Sequence, residues 1–243
     1  VEYIAYYSVA IFISTVISVP ARAMHQIAYP VTARLMAEGK HDELNQFYKK
    51  SSITLQVSGG LIFVGILVNI KQLYLLLPPE YSVGIFSVFV IGFSKYLDLI
   101  LGNNNSIIFN SKYYKAVLVL GLLLALVMVG LNLWLIPILG IDGAAIATLL
   151  SIAMYSLAKL LFVVKKMELY PFTMNTLHSF WVLVLTFVIF YFWDFPFHPA
   201  VNILLKSILV TLFFLPVHYL LKISSEVNHM IRLAFSFIMH RKG

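Results

Sequence analysis

The chain has 243 residues, of which 61% are hydrophobic and only 11% are charged, and its formal net charge is +7. Soluble domains average about 45–50% apolar and about 25% charged residues, so this composition excludes an ordinary soluble domain and indicates a protein dissolved in lipid. The absence of cysteine excludes disulfides, thiolate metal sites and cysteine nucleophiles.

The predicted elements are seven apolar helices, each near or above the roughly 20 residues that cross a bilayer. In chain order they cover residues 3–29, 52–76, 83–109, 114–136, 143–164, 176–193 and 201–221. The apolar runs are continuous rather than alternating, which favours helices over a membrane barrel. The predicted fold class is therefore all-α, a polytopic transmembrane helix bundle with about seven spans.

Charge indicates how these spans are oriented. Most of the 17 Lys and Arg residues fall on one side of the bundle: Arg22, Arg34, Lys40, Lys49, Lys50, Lys112, Lys115, Lys159, Lys165, Lys166, Lys222, Arg232, Arg241 and Lys242. The opposite loops carry Glu80, Asp142 and Asp194 and no basic residue. The positive-inside rule places the basic side and the C-terminus in the cytoplasm. The net charge is thus a topology signal, and no nucleic acid is expected as a partner.

The sequence suggests three regions. Residues 1–170 hold about five spans, residues 171–223 hold two more, and residues 224–243 are predicted to form a cytoplasmic amphipathic helix lying in the membrane interface. Residues 42–50 are also expected to lie along the surface. Because Val1 already belongs to an apolar run with no basic leader before it, we expect the chain to be a fragment that lacks an N-terminal part.

Charged and polar side chains inside the third predicted span are candidates for function. Lys95 and Asp98 are three residues apart on one helix face, so we expect them to pair. Buried charge is costly in a membrane and usually faces a bundle interior or a wet cavity. Asn103 and Asn105 are expected to continue the same helix, and could bind sugar hydroxyls or phosphate. The alternatives are a self-neutralising pair that only packs and amides that only bond neighbouring helices.

Two prolines interrupt the first predicted span, Pro20 and Pro30, and Arg22 lies just after the first of them. Each proline removes a helix hydrogen bond and can bend the helix. They are candidates for a hinge, with fixed shaping of the helix as the alternative. Lys71 and Lys206 lie near the outer ends of their spans and are expected to snorkel to the interface.

Motifs for other chemistry are missing from the sequence. The seven histidines include no i, i+4 pair, so no metal is expected, and there is no phosphate loop or nucleophile motif. No cofactor is expected, and the chain is predicted not to be an enzyme.

Three stretches of sequence resemble a known family. They are Pro20-Ala-Arg-Ala-Met through Tyr29-Pro-Val-Thr-Ala-Arg34, Asp98-Leu-Ile-Leu-Gly-Asn-Asn through Ser111-Lys-Tyr-Tyr-Lys115, and Asn132-Leu-Trp-Leu-Ile-Pro through Gly140-Ile-Asp-Gly-Ala-Ala-Ile. In these stretches the chain resembles the polysaccharide (O-antigen type) flippases of the multidrug/oligosaccharidyl-lipid/polysaccharide transporter superfamily. The resemblance is weakest after Pro171.

The resemblance implies the C-terminal lobe of a two-lobed transporter in the bacterial plasma (inner) membrane. Its substrate would be an undecaprenyl-diphosphate-linked oligosaccharide used for surface polysaccharide biosynthesis. Cationic cavity residues hold the diphosphate in that picture, with Lys95 and Arg22 as candidates. Implied partners are the lipid-linked oligosaccharide, membrane lipids, the missing N-terminal lobe and polysaccharide polymerase machinery.

Two other functions remain open at this point. The first is a cation-coupled multidrug antiporter of the same superfamily, in which the Asp98 region would bind the coupling ion. The second is a membrane glycosyltransferase or polysaccharide polymerase. Such enzymes usually need a large loop outside the membrane, whereas the outer loops here are a few residues long.

Overall fold

The structure, a computed structural model, describes residues 2–240, and in this part of the chain every regular element is helical. The helices are α1 (Glu2–Thr15), α2 (Val19–Ala37), α3 (His41–Tyr74), α4 (Ile85–Ile100), α5 (Asn104–Asn110), α6 (Tyr114–Met167), α7 (Met174–Tyr191), α8 (Pro199–Leu220) and α9 (Ser225–His240). Short 3-10 turns lie at Val16–Ser18 and Pro79–Gly84. The predicted all-α class is confirmed.

Within the described residues, six helical stretches are long and apolar enough to cross a membrane: Glu2–Ala37, His41–Tyr74, Pro79–Ile100, Tyr114–Met167, Met174–Tyr191 and Pro199–Leu220. The 54-residue α6 is two helices joined at Gly140, whose φ of 58° and ψ of −131° are not helical. Gly143 lies directly against the backbone carbonyl of Leu135. Eight residues of a straight helix would span about 12 Å, so this contact shows that the chain reverses at Gly140. Residues 2–240 therefore contain about seven helical segments that are able to span a membrane, and the chain is a multi-pass membrane protein.

Helix α3 is the centre of the bundle and packs against α2, α4, α7 and α8. In its apolar part, 72% of the residues are buried, and Gly59 permits close packing against Leu99 of α4. The prediction that residues 42–50 form a separate surface segment is wrong. They are the first turns of α3. Their apolar side chains Leu44 and Tyr48 are buried against other helices, where they contact Ile107, Val163 and other apolar side chains.

The third predicted span, residues 83–109, is not one continuous helix. It begins with a 3-10 turn, continues as α4 and breaks at Leu101–Asn103 before α5 begins. At the break Gly102 has a φ of +62°, and a Cβ there would lie 2.9 Å from the backbone of Ser52. Only glycine combines that conformation with such a close approach. The chain is therefore unwound inside the bundle, where protein groups must satisfy its backbone.

The last three helices close one side of α3. Thr173 and Thr176 form a reciprocal capping box that starts α7. Helix α9 packs on α3 and α8, with Val227 and Asn228 buried and Ser225, His229 and Arg232 exposed. A helix is therefore present over Ser225–His240, and residues 241–243 of that prediction lie outside the described part of the chain.

Candidate functional site

An ion pair with a buried lysine and a partly exposed carboxylate joins α6 to α4. Lys159 of α6 donates to Oδ1 of Asp98 on α4 over 3.1 Å, although the two residues are 61 positions apart. The Lys159 side chain is 1% exposed, whereas that of Asp98 is 47% exposed. The lysine is thus enclosed by protein, whereas the carboxylate is partly exposed.

Several polar groups surround this pair. Ser156, one turn before Lys159, donates to the same Asp98 oxygen over 3.2 Å. Lys159 donates a second hydrogen bond to Oδ1 of Asn105 over 3.2 Å, and its ammonium lies 4.3 Å from the ring centre of Tyr155. His25 of α2 lies close enough to interact electrostatically with both charged groups. These residues, with Asp98 and Lys159, form what we call the Asp98 cluster.

Asn105 reaches this cluster from the short helix that follows the break at Gly102. In the structure Asn105 belongs to α5, so the prediction that it continues the helix of Asp98 is wrong. Ser52 of α3 donates to the carbonyl of Ile100 and so satisfies one acceptor that the broken helix leaves free. The Asp98 cluster therefore lies directly beside the break in the backbone at Leu101–Asn103.

The expected Lys95–Asp98 pair does not form, because Asp98 turns to Lys159 instead. Lys95 is half-buried on α4, and within residues 2–240 it makes no ion pair. Arg22 is exposed on α2 and likewise makes none there. Two candidate cations are thus left without a carboxylate.

These two cations stand at a similar level in the bundle. The rings of Tyr6 and Tyr81 meet at 5.0 Å, so α1 and the stretch leading into α4 begin at the same end. Helices α2 and α4 therefore run in the same direction. Arg22 precedes His25 by three residues and Lys95 precedes Asp98 by three, which puts each cation about 4.5 Å closer to that end at 1.5 Å per residue.

The side chain of Asn103 is buried against α3 and does not reach the Asp98 cluster. Its side chain is 0% exposed, and its Oδ1 accepts a hydrogen bond from Ser51 of α3. Its side-chain nitrogen, like that of Asn104, has no hydrogen-bond partner in the described structure. Asn103 helps to hold the break against α3, while Asn105 is the asparagine that reaches the charged pair.

The two prolines differ in their local structure. Pro20 lies in the first turn of α2, directly after the 3-10 turn that ends α1. Pro30 lies inside α2, where the helix continues to Ala37. The backbone changes conformation at Val16–Ser18, near Pro20, and we retain this position as the hinge candidate.

Sequence reasoning missed Lys159, Ser156 and His25. Lys159 was counted with Lys165 and Lys166 as a residue of the basic membrane face, but it is enclosed within the bundle. A signal was present in the sequence, since Ser156 and Lys159 are three residues apart in an otherwise apolar stretch and so share a helix face.

A second buried pair lies at the end of α7. Lys206 of α8, 1% exposed, donates to Oδ1 of Asp194 over 2.9 Å, so it does not snorkel as predicted. Burial raises the pKa of Asp194, but the hydrogen bond and charge of Lys206, with Gln72 and Lys71 nearby, outweigh burial and hold that pKa below the usual 3.8. The pair ties the α7–α8 connection to the bundle.

The structure describes no group of three or more His, Asp or Glu residues within residues 2–240 that could hold a metal ion. Comparison with known proteins gives no further assignment of the site. No protein-family profile, no curated protein and no solved structure matches this chain.

Proposed function

We propose that the chain is part of a transporter that moves an undecaprenyl-diphosphate-linked oligosaccharide across the bacterial plasma membrane for surface polysaccharide biosynthesis. The supporting observation is the Asp98 cluster, a charged pair beside a broken helix in a membrane bundle. Transporters commonly place substrate sites at such discontinuous helices. Ionisable groups inside a membrane are costly and usually serve a pathway.

In this proposal Arg22 and Lys95 hold the diphosphate. Both lack a carboxylate partner within the described residues, and they occupy similar levels on two parallel helices. A cation with no carboxylate beside it can form charge-assisted bonds to phosphate oxygens. Asp98, which is partly exposed, and Asn105 would receive sugar hydroxyls, while the hydrogen bond from Lys159 orients the Asp98 carboxylate. The substrate undergoes no bond cleavage, so the protein is proposed not to be an enzyme.

The 3-10 turn at Val16–Ser18, with Pro20 after it, is proposed to let α1 and α2 move relative to each other. Such movement would open the Asp98 cluster to either leaflet in turn. The end with the lysine-rich loops, including the C-terminus, is proposed to face the cytoplasm, in accordance with the positive-inside rule. The proposed partners are membrane lipids, an N-terminal lobe of the same protein and polysaccharide polymerase machinery.

The test is transport by the full-length protein in vesicles that carry a fluorescent undecaprenyl-diphosphate-linked oligosaccharide in one leaflet. We expect movement to the other leaflet, and at least a roughly tenfold loss of rate in R22Q/K95Q, as removing charge-assisted phosphate bonds predicts. The control K49Q/K50Q removes the same charge at the start of α3. Equal rates in the two double variants would exclude Arg22 and Lys95 as phosphate contacts, and no movement with the unaltered protein would exclude the function.

A cation-coupled multidrug antiporter is the second candidate. It is favoured by one observation, the partly exposed Asp98 carboxylate with His25 close to it, since carboxylates commonly bind coupling ions in membranes. Dye efflux driven by a proton or sodium gradient in the same vesicles would support it. Glycolipid movement without such efflux would exclude it.

A further inference from the structure

A pocket of about 430 Å³ lies where three connections meet at the lysine-rich end of the bundle. They are the α2–α3 turn, the α5–α6 turn and the segment after α6. We call it the loop pocket. It is separate from the Asp98 cluster, since its lining includes His41, Ser111, Lys112 and Lys166 and none of the cluster residues. Its chemistry is therefore independent of the proposed transport site.

The rim of the loop pocket is cationic. Lys112 lies in the α5–α6 turn and Lys166 in the last turn of α6, and both are exposed. Within residues 2–240 neither forms an ion pair, although Glu168 also lines the pocket. The Lys112 ammonium lies 5.2 Å from the ring centre of Tyr113, which keeps it beside the pocket. Two positive groups thus converge on one opening.

His41 adds a directed polar group. Its Nε2 lies 2.7 Å from the carbonyl oxygen of Met167. Because a carbonyl can only accept, Nε2 must donate in this bond, and Nδ1 is left for another partner. The bond also joins the start of α3 to the end of α6, so the pocket wall is held in place.

The start of α6 is positively charged. A helix N-terminus carries partial positive charge and is stabilised by acidic residues or bound anions. Here the first turn contains no acidic residue, and Lys112 and Lys115 lie beside it instead. A bound anion would offset this accumulation of positive charge.

The floor of the loop pocket is apolar. It is formed by Leu35, Leu44 and Leu169, which are 5%, 3% and 0% exposed. A cationic rim over an apolar floor suits a phosphate group attached to a less polar body. Basic pockets between transmembrane helices bind phospholipid headgroups in this way.

We propose that the loop pocket binds a phosphate group, with Lys112 and Lys166 as its cationic contacts. Its source is either the headgroup of an anionic phospholipid or a free phosphate anion. Binding would clamp the three connections together at the membrane surface.

The first experiment is amine footprinting of the unaltered full-length protein in nanodiscs of phosphatidylcholine, with or without phosphatidylglycerol. We expect phosphatidylglycerol to slow modification of Lys112 and Lys166 more than that of Lys115 and Lys165. The latter two are exposed neighbours at the same helix ends and do not line the pocket. A second arm uses inorganic diphosphate in detergent micelles without phospholipid.

The two arms separate the sources. Protection by phosphatidylglycerol alone supports a lipid headgroup, and protection by diphosphate supports a free anion. Equal modification of all four lysines in both arms would overturn the proposal.

The second experiment compares K112Q/K166Q with K115Q/K165Q, which removes the same charge from the same helix ends. Native mass spectrometry of bound phosphatidylglycerol should show about tenfold weaker binding in the first variant relative to the second. Equal losses would mean general surface attraction and would overturn the proposal. The footprinting needs no substitution, so it decides the matter even if K112Q/K166Q fails to fold.

Discussion

The two lysine–aspartate pairs each combine a buried lysine with a partly exposed carboxylate, and they differ in position. Lys159 and Lys206 are each 1% exposed, and their carboxylate partners are 47% and 37% exposed. Asp194 lies in the connection after α7, only 12 residues from Lys206. Asp98 lies beside a helix break, 61 residues from its lysine. Burial of a charged pair therefore does not by itself identify a functional site, and the surroundings of the pair must be considered.

The largest expected effect is common to both pairs. Asp98→Asn and Asp194→Asn each leave a buried lysine without its counter-ion, which should cost about 3 kcal/mol of unfolding free energy. The measurement is denaturant unfolding in detergent micelles. If only one variant were destabilised, the two pairs would differ in energetics as well as in position.

Gly102→Ala should distinguish the two pairs, because the break lies beside the Asp98 cluster and not beside the Asp194 pair. A positive φ of +62° and a Cβ contact of 2.9 Å with Ser52 should together cost about 2 kcal/mol. Gly39→Ala is the control, since Gly39 has a φ of +66° with no atom within 4 Å of its Cβ position, and it should cost about 1 kcal/mol. Equal costs in the same unfolding assay would contradict the close packing at the break.

Removing both members of a pair should be milder than removing one. D98N/K159M and D194N/K206M each replace a buried ammonium by an apolar side chain of similar length, and each should recover about 1–2 kcal/mol relative to the single Asp→Asn variant. The same unfolding measurement provides the check. A double variant as unstable as its single variant would show that the lysine has an additional packing role.

The smallest expected effect is a pH dependence at Asp194. Its pKa in the folded protein lies below the usual 3.8, so the stabilisation from the pair is present above that value and is lost as pH falls through the lower folded pKa. The difference in unfolding free energy between the unaltered protein and D194N should therefore narrow at acid pH. A difference that stayed constant between neutral pH and pH about 3 would contradict the lowered pKa.

Hydropathy and turn residues predicted most of the fold, because crossing a bilayer requires long apolar helices and proline and glycine end them. The reversal at Gly140 is one example. The break at Gly102 was missed because the close approach of Ser52 comes from another helix and cannot be deduced from the local sequence. Lys95 was paired with Asp98 because only neighbours along a helix can be deduced from spacing. Lys159 is brought to Asp98 by packing of α6 on α4, which no local pattern encodes.

We propose that the Asp98 cluster takes part in transport, whereas the Asp194 pair only stabilises the folded protein. The most direct test is movement of the fluorescent undecaprenyl-diphosphate-linked oligosaccharide by D98N and D194N, reconstituted as equal amounts of folded protein in the same vesicles. We expect D98N to lose transport and D194N to retain the rate of the unaltered protein. Transport by D98N at the unaltered rate, or equal loss in both variants, would contradict the claim.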